Sequence, residues 1–202
     1  MNNNKKWAKF WWNWGKQNLT YAETPCGKGS APRSTGIIVQ YINKIIEEYG
    51  IKSISDSPCG EFGLWMKNVN LSRTDYTGYD INEEIIKKNT KEFPLRRFQE
   101  FSITDEILPK TDLIICRDCL FHLTNADVAR ALTNFKASGS KYLLATNHSS
   151  VANNKEIPEL AKHNRHYGYR DVNILAEPFN FHPPLEFIDE PQWNRQFCLW
   201  RL

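Results

Sequence analysis

Acidic side chains stand at the ends of three predicted strands. Asp56 opens the turn DSPCGEFG, Asp80 closes the run DYTGYD, and Asp105 follows the run 98–104. A carboxylate at the end of a second parallel strand can accept hydrogen bonds from a ribose, and one after a third strand can contact an adenine edge. The glycine-containing turn lets backbone N–H groups approach a ligand. Taken singly, each acid is equally explained as an ordinary turn or helix-cap residue.

A second group of polar residues follows the fourth and fifth predicted strands. Arg117, Asp118 and His122 lie in the string CRDCLFHL, and His148 follows KYLLATN. An imidazole titrates near neutral pH, so either histidine could remove a proton from a hydroxyl group while Asp118 orients a substrate. His122 is also explained as a loop residue that is held by a backbone carbonyl, and His148 is the competing candidate base.

The cysteines set limits on metal chemistry and on the cellular compartment. Cys116 and Cys119 form a CxxC pair, but a zinc site needs a second pair, and Cys26, Cys59 and Cys198 are scattered. We therefore expect no metal. The first residues, MNNNKK, lack the apolar core of a signal peptide, so we expect reduced thiols and a cytoplasmic protein.

The segments that must position these residues alternate between two types. Short apolar or β-branched runs predict strands, and amphipathic stretches predict helices. The predicted strands are 52–56, 75–81, 98–104, 111–116, 141–147, 185–188 and 197–201. The predicted helices are 36–49, 62–69, 83–92 (capped by Asn82) and 126–136. The alternation predicts an α/β fold: a doubly wound, mostly parallel seven-stranded sheet with helices on both faces, whose ligands bind at the carboxyl ends of the strands.

Residues 1–35 form a basic, tryptophan-rich arm, which we expect to be separate from a domain at 36–202. Residues 1–33 carry a net charge of +5, whereas the remainder carries −2. A slightly acidic body argues against nucleic acid as the partner, and no apolar run is long enough to span a membrane. Trp7, Phe10, Trp11 and Trp14 fall on one helical face. The arm could be a lid, a dimer contact, a surface for membranes or single strands, or a helix packed on the core.

Together, the three strand-end acids resemble the pattern of class I methyltransferases that use S-adenosylmethionine, over about residues 36–202. More narrowly, the strings DSPCGEFG, CRDCLFHL, YGYRDVN and PFNFHPPL resemble a group of small bacterial and viral methyltransferases often associated with surface-glycan genes. The chain departs from the wider family in two places. Pro58-Cys59 stands where many members have a Gly-rich pair, and the connection between Asp105 and Asp112 is short.

This resemblance implies a Rossmann-like methyltransferase fold with S-adenosylmethionine as cofactor. Asp80 would bind the ribose, Asp105 the adenine and the turn 56–61 the methionine part. The full set of implied cofactor contacts is Asp56, Ser57, Pro58, Cys59, Gly60, Glu61, Asp80, Ile81, Thr104, Asp105 and Arg117. The implied catalytic residues are His122, as general base, and Asp118.

The polar segment 147–184 is too long for a plain connection and is the candidate acceptor pocket. Its aromatic, basic and amide groups suit a small polar or anionic acceptor, such as a sugar or a phosphorylated sugar. The candidate acceptor contacts are Arg33, His148, Tyr169, Arg170 and Asn173. We expect O-methylation. A nucleic-acid methyltransferase that uses the arm, a non-catalytic nucleotide-binding module and any oligomeric state stay open.

Overall fold

Seven strands organise the chain, in a computed structural model that describes residues 3–156 and 169–202. The strands are β1 (Ser53–Asp56), β2 (Asp75–Asp80), β3 (Arg97–Glu100), β4 (Leu113–Cys116), β5 (Tyr142–Asn147), β6 (Glu186–Glu190) and β7 (Arg195–Arg201). They form one sheet in the order β3-β2-β1-β4-β5-β7-β6. The pairs β1–β2, β2–β3 and β4–β5 are parallel, whereas β7 is antiparallel to both β5 and β6. The predicted mostly parallel seven-stranded sheet is confirmed.

The described residues form five α-helices, which the sequence explains at their ends and on their buried faces. They are α1 (Asn3–Gln17), α2 (Leu19–Ala22), α3 (Pro32–Glu48), α4 (Glu83–Glu92) and α5 (Asn125–Ala137). Pro32 begins α3, where its missing N–H costs nothing. The side chain of Asn82 caps α4 by accepting the Glu84 N–H at 3.0 Å, as predicted.

The chain divides into two compact units, Met1–Ser102 (unit 1) and Ile103–Leu202 (unit 2). Unit 1 holds β1–β3 and buries a core that includes Ile38, Ile42, Ile45, Ile54, Met66 and Tyr76. Unit 2 holds β4–β7 and buries Leu113, Ile114, Phe135, Leu143, Leu144 and Trp200. Every residue of β4 is buried, which is typical of a strand covered on both faces. The separation of an arm at 1–35 from a domain at 36–202 stays a prediction.

Two predicted elements differ from the structure. Residues 62–69 do not form an α-helix: turns lead into a short 3₁₀ helix, Met66–Asn68. The Phe62 ring instead packs against Tyr76, Phe93 and Phe98, with ring centroids 4.8–5.6 Å apart. The third strand ends at Glu100 rather than at residue 104 because β3 lies at the sheet edge and its partner β2 ends at Asp80.

No helix among the described residues is both long enough and apolar enough to cross a membrane.

Candidate functional site

Asp80 is fixed at the carboxyl end of β2 in unit 1. Only 5% of the surface of Asp80 is exposed. Oδ2 accepts the N–H of Gly60 at 3.1 Å, and Oδ1 accepts the N–H of Asn82 at 2.8 Å. The turn after β1 and the start of α4 therefore both orient this carboxylate. Because a carboxylate oxygen has two lone pairs, each oxygen can accept one more hydrogen bond.

The protonation of Asp80 responds to its surroundings. Burial raises the pKa of Asp80 to about 6, while the backbone N–H groups of Asn82, Gly60 and Ile81 oppose that rise. The group is therefore ionised at pH 7 and titrates one unit below that value. A buried, ionised and pre-oriented carboxylate is suited to accept hydrogen bonds from the two hydroxyls of a ribose.

The turn that follows β1 uses its backbone N–H groups within unit 1. Four consecutive groups, from Cys59 to Phe62, donate to Tyr79 O, Asp80 Oδ2, Cys26 Sγ and Asn89 Oδ1 at 2.7–3.4 Å. Asn89 also donates from Nδ2 to Gly60 O at 2.7 Å. These bonds fix the shape of the turn. They also mean that a ligand would meet these N–H groups already engaged.

The other predicted residues of the turn are mostly buried. Asp56 accepts the hydroxyl of Tyr76 at 2.7 Å, and burial, followed by the charge of Asp56, raises the pKa of that tyrosine well above its ordinary value. Ser57 and Cys59 are buried and Pro58 is half-buried. Glu61 is buried and pairs with Lys88 of α4.

The N-terminal arm packs on unit 1. Trp12 is buried, and its Nε1 donates to Glu84 Oε2 of α4 at 3.1 Å. Lys16 pairs with the same carboxylate at 3.3 Å. These contacts use Trp12 rather than the predicted aromatic face, on which Phe10 is exposed, and the four alternatives for the arm stay predictions. Arg33, near the end of the arm and in the first turn of α3, is exposed and pairs with Glu23.

Unit 2 contains a buried cluster of charges around Asp118, just after β4. Arg195 Nη2 lies 2.9 Å from Asp118 Oδ2 and 3.2 Å from Glu190 Oε2. Arg117 Nη2 lies 2.7 Å from the same Glu190 oxygen, and its Nη1 lies 3.2 Å from Asp118. Two arginines thus balance two carboxylates. The predicted cofactor contact Arg117 has a 3% exposed side chain that is engaged in this cluster.

Asp118 is held as an anion. Burial alone would raise its pKa, but the charges of Arg117 and Arg195 and a hydrogen bond from Thr146 place the pKa below its ordinary value. Thr146 Oγ1 lies 3.2 Å from Asp118 Oδ1 and accepts the Asp118 N–H at 3.0 Å. The side chain is 20% exposed, so this carboxylate is oriented from within the unit and reaches the surface.

The two candidate histidines have different environments. His148 is fully buried: its Nδ1 lies 3.2 Å from the backbone N and 3.3 Å from the backbone O of Val172, its Nε2 lies 3.4 Å from Asp171 Oδ1, and burial lowers its pKa. His122 is half-buried at the end of the 3₁₀ helix Leu120–His122. Its ring lies 4.4 Å from the ring of Phe121 and 6.2 Å from that of Tyr169.

Three predicted acceptor contacts lie after the undescribed residues 157–168, which hold part of the string YGYRDVN. Tyr169 is half exposed, and its hydroxyl donates to Asp171 Oδ1 at 3.0 Å. Arg170 donates instead to the backbone carbonyls of Leu123 and Lys155 at 2.6 and 2.9 Å. Asn173 is buried. Its Oδ1 accepts a hydrogen bond from Asn147 Nδ2, and its Nδ2 donates to Val151 O. Arg170 and Asn173 therefore join loops of unit 2.

The remaining predicted cofactor contacts belong to both units. Ile81 is half-buried after β2, in unit 1. Thr104 is buried and Asp105 is exposed, in the segment before β4 in unit 2. All five cysteines are free thiols, and no cluster of three or more His, Cys, Asp or Glu suited to a metal occurs among the described residues.

Four residues of these sites were not predicted from the sequence: Cys26, Asn89, Glu190 and Arg195. Glu190 and Arg195 meet because β6 and β7 pair antiparallel with these two residues in register. No local pattern carries that information. Asn89 offered a weak signal, since a fully buried asparagine on the apolar face of a predicted helix needs polar partners.

Comparison with known proteins places the fold but not the family. No protein-family model and no curated protein matches the chain. Magnesium protoporphyrin IX methyltransferase from Synechocystis PCC 6803, with bound SAH, matches 60% of this chain and 59% of its own at 14% identity and a TM-score of 0.50. Human N-acetylserotonin methyltransferase in complex with SAM matches 81% of this chain and 54% of its own, at 16% identity and a TM-score of 0.53.

A third match is a protein of Bordetella parapertussis described as a possible exported protein. It covers 85% of this chain and 69% of its own, at 10% identity and a TM-score of 0.59. The chain spans less than two thirds of the length of the two methyltransferases above. At these identities the likeness is one of fold: the seven-stranded, mostly parallel sheet resembles the Rossmann-like fold of these two solved structures.

Proposed function

We propose that this chain is an S-adenosylmethionine-dependent methyltransferase that methylates a hydroxyl of a small polar or anionic acceptor. The observation that carries the proposal is Asp80, a buried carboxylate held by Gly60 and Asn82 at the end of β2. Acids at this place in nucleotide-binding sheets accept the hydroxyls of a ribose. The fold shared with solved methyltransferases supports the same conclusion.

The residues of unit 1 fit the ribose and the methionine part of this cofactor. Asp80 binds the ribose hydroxyls, and the turn 56–61, fixed by its own hydrogen bonds, supports the methionine part. In unit 2, Asp105 is exposed and remains the candidate for the adenine edge. When bound, S-adenosylmethionine supplies a methyl group activated by its sulfonium, so the protein contributes position, exclusion of water and proton removal.

We assign proton removal to His122 rather than to His148. Both ring nitrogens of the buried His148 already have partners: Nδ1 lies 3.2–3.3 Å from the backbone N and O of Val172, and Nε2 lies 3.4 Å from the Tyr169 hydroxyl and from Asp171 Oδ1. His122 is half-buried, and its ring packs against Phe121, which also contacts the ring of His148. Asp118 stays ionised and orients the acceptor hydroxyl through a hydrogen bond.

The charges near Asp118 bear on the class of acceptor. Arg117 and Arg195 are already matched by Asp118 and Glu190, so this cluster favours neutral hydroxyl groups, as in a sugar. The exposed Arg33 remains a candidate contact for an anionic group, as in a phosphorylated sugar. A glycan-modifying role and a cytoplasmic location belong to this proposal.

Calorimetry with S-adenosylhomocysteine and a screen with radiolabelled methyl donor test the proposal. Sugars, sugar phosphates and sugar nucleotides form one arm of the screen, and RNA and DNA form the other. Transfer of label to a sugar derivative supports it, and transfer to nucleic acid supports the alternative acceptor. Cofactor binding without transfer of the labelled methyl group to any acceptor in the screen identifies a non-catalytic module. No affinity for S-adenosylhomocysteine contradicts the cofactor assignment.

Cofactor binding should release a proton near pH 6. Ribose hydroxyls bind the ionised form of Asp80, whose pKa is about 6 before binding. At pH 6 about half of the molecules carry this proton, and affinity should fall up to tenfold for each pH unit below that value. Calorimetry at pH 6 in two buffers of different ionisation enthalpy should give a release of about half a proton, falling to near zero at pH 8. Proton uptake on binding at pH 6, or the same proton release at pH 6 and pH 8, would contradict this prediction.

Substitution of the proposed base should slow catalysis without weakening cofactor binding. We expect His122→Gln to lower kcat about 100-fold, because general-base catalysis contributes roughly 10²–10⁴-fold. The affinity for S-adenosylhomocysteine should stay within twofold of the wild type. His182→Gln is the matched control: this histidine is exposed and lies before β6. Full activity of His122→Gln would remove that residue from the reaction.

A further inference from the structure

One peptide unit of the turn after β1 is held by two segments of unit 1, and the peptide before it bonds a third. Its nitrogen side belongs to Glu61, whose N–H donates to Cys26 Sγ of the arm at 3.4 Å. Its carbonyl side is Gly60 O, which accepts Asn89 Nδ2 of α4 at 2.7 Å. The N–H of Gly60 donates to Asp80 at the end of β2. The arm is therefore bonded to the peptide next to the one that orients Asp80.

The arm lies directly against this turn. Gly60 has a positive φ of 52°, and a Cβ added there would lie 3.3 Å from Cys26 Sγ. Glycine meets both demands, because it adopts positive φ readily and leaves room for the thiol. Burial raises the pKa of the Cys26 thiol to about 12, so it is a neutral hydrogen-bonding group rather than a nucleophile.

Cys26 is itself held in place by the rest of the arm. A Cβ added at Gly15 of α1 would lie 2.3 Å from Pro25 O, so α1 and the loop before Cys26 are in close contact. Thr24 Oγ1 and Gly27 O bond at 2.8 Å across Cys26. On the other side, the buried Trp12 anchors α1 to α4 through Glu84.

The same anchor reaches the side chain of Glu61. Lys88 of α4 pairs with Glu61, and its Nζ lies 5.9 Å from the ring centroid of Trp12. Glu61 is thus connected to the arm twice, through its backbone N–H to Cys26 and through Lys88 to Trp12. Two parts of the arm, α1 and residues 24–27, therefore form one packed structure with the turn in unit 1.

We propose that this arm is a fixed wall of the cofactor site in unit 1, and that Cys26 is a positioning residue for the Gly60–Glu61 peptide and, through it, for the Asp80 carboxylate. The inference rests on the proposed function. It assigns the arm to cofactor binding rather than to the acceptor. Cys26 acts through its bond to the turn and touches neither the ribose nor the reacting atoms.

Three cysteine variants test this assignment by calorimetry with S-adenosylhomocysteine. Cys26→Ala leaves the Glu61 N–H without its acceptor, and we expect affinity to fall about tenfold. Cys26→Ser restores an acceptor and should return affinity to within threefold of the wild type. Cys198→Ala removes a buried thiol from β7 in unit 2 and should leave affinity unchanged.

A second measurement needs no variant. Because a buried thiol reacts with N-ethylmaleimide only when its segment opens, labelling of the wild type, mapped by mass spectrometry, reports opening of the arm. Labelling at Cys26 should slow at least fivefold more than at the reference Cys198 when S-adenosylhomocysteine is bound. If Cys26→Ala does not fold, this labelling decides. Three results would overturn the inference while the proposed function stands. Cys26→Ala could bind S-adenosylhomocysteine as the wild type does, Cys26→Ser could lose as much affinity as Cys26→Ala, or the bound ligand could leave the labelling of Cys26 unchanged. A wild type that does not bind S-adenosylhomocysteine overturns the proposed function itself.

Discussion

Replacement of Asp80 by alanine should weaken the binding of S-adenosylhomocysteine at least 100-fold. The variant loses two hydrogen bonds from the ribose to an ionised acceptor, and each bond of this type contributes about 1.5–3 kcal/mol. Because the carboxylate is already oriented by Gly60 and Asn82, the wild type spends little entropy in forming them. Calorimetry at pH 7.5 measures the loss directly.

The fold should survive this substitution. The folded pKa of Asp80, about 6, lies above its ordinary value of 3.8, so the folded state binds the proton more tightly than the unfolded state. Stability from this group is therefore gained as pH falls through 6, and at pH 7 the buried charge costs about 3 kcal/mol. Removal of this charge in Asp80→Ala therefore offsets the loss of the two hydrogen bonds that Asp80 accepts from the backbone.

The control for Asp80 stands on the same strand. Asp75→Ala changes the exposed first residue of β2, which pairs with Arg97 at the surface. It should bind S-adenosylhomocysteine as the wild type does. If Asp80→Ala also binds within threefold of the wild type, with its thermal transition intact, the ribose assignment is wrong.

Replacement of Arg195 by methionine should destabilise the protein by about 3–5 kcal/mol. The side chain of Arg195 is 4% exposed and contacts both Asp118 and Glu190. Methionine fills a similar volume but leaves these carboxylates with Arg117 as the remaining cation of the cluster, and uncompensated buried charge is costly. For a chain of this length we expect Tm to fall by about 10 °C.

Arg201→Met provides the comparison for Arg195. Arg201 is the exposed final residue of the same strand, β7, and its guanidinium carbon lies 5.9 Å from the ring centroid of Tyr142. Its substitution should change Tm by less than 2 °C, because a surface cation contributes little. Differential scanning calorimetry of both variants at pH 7 compares them, and equal shifts would show that the cluster around Asp118 is not a stabilising unit.

Local sequence patterns predicted the sheet well because four of its parallel strands, β1, β2, β4 and β5, are short and mostly buried runs, each with its own turn. Asn82 is an example: its cap depends on residues two positions away, so α4 begins where the sequence indicates. The helix predicted for 62–69 was wrong because its apolar spacing also suits an aromatic cluster. The ring of Phe62 joins Tyr76 and Phe93, which lie on other elements.

The site was predicted less completely, since its bonds join distant parts of the chain. Asp80 carried a signal because its position at a strand end is a local property. Arg195 and Asp118 are 77 positions apart, and only the antiparallel pairing of β7 brings the arginine into the cluster. The contact of Cys26 with Glu61 likewise depends on how the arm packs, which hydrophobic spacing does not specify.

The position of β7 between β5 and β6 has a consequence for synthesis on the ribosome. β7 is translated after every other strand of the sheet, yet it occupies an interior position. Until it emerges, the hydrogen-bonding edges of β5 and β6 lack the strand that joins them. Unpaired strand edges of this kind attract other chains. The nascent protein is therefore exposed to aggregation until the residues that join these two strands have been made.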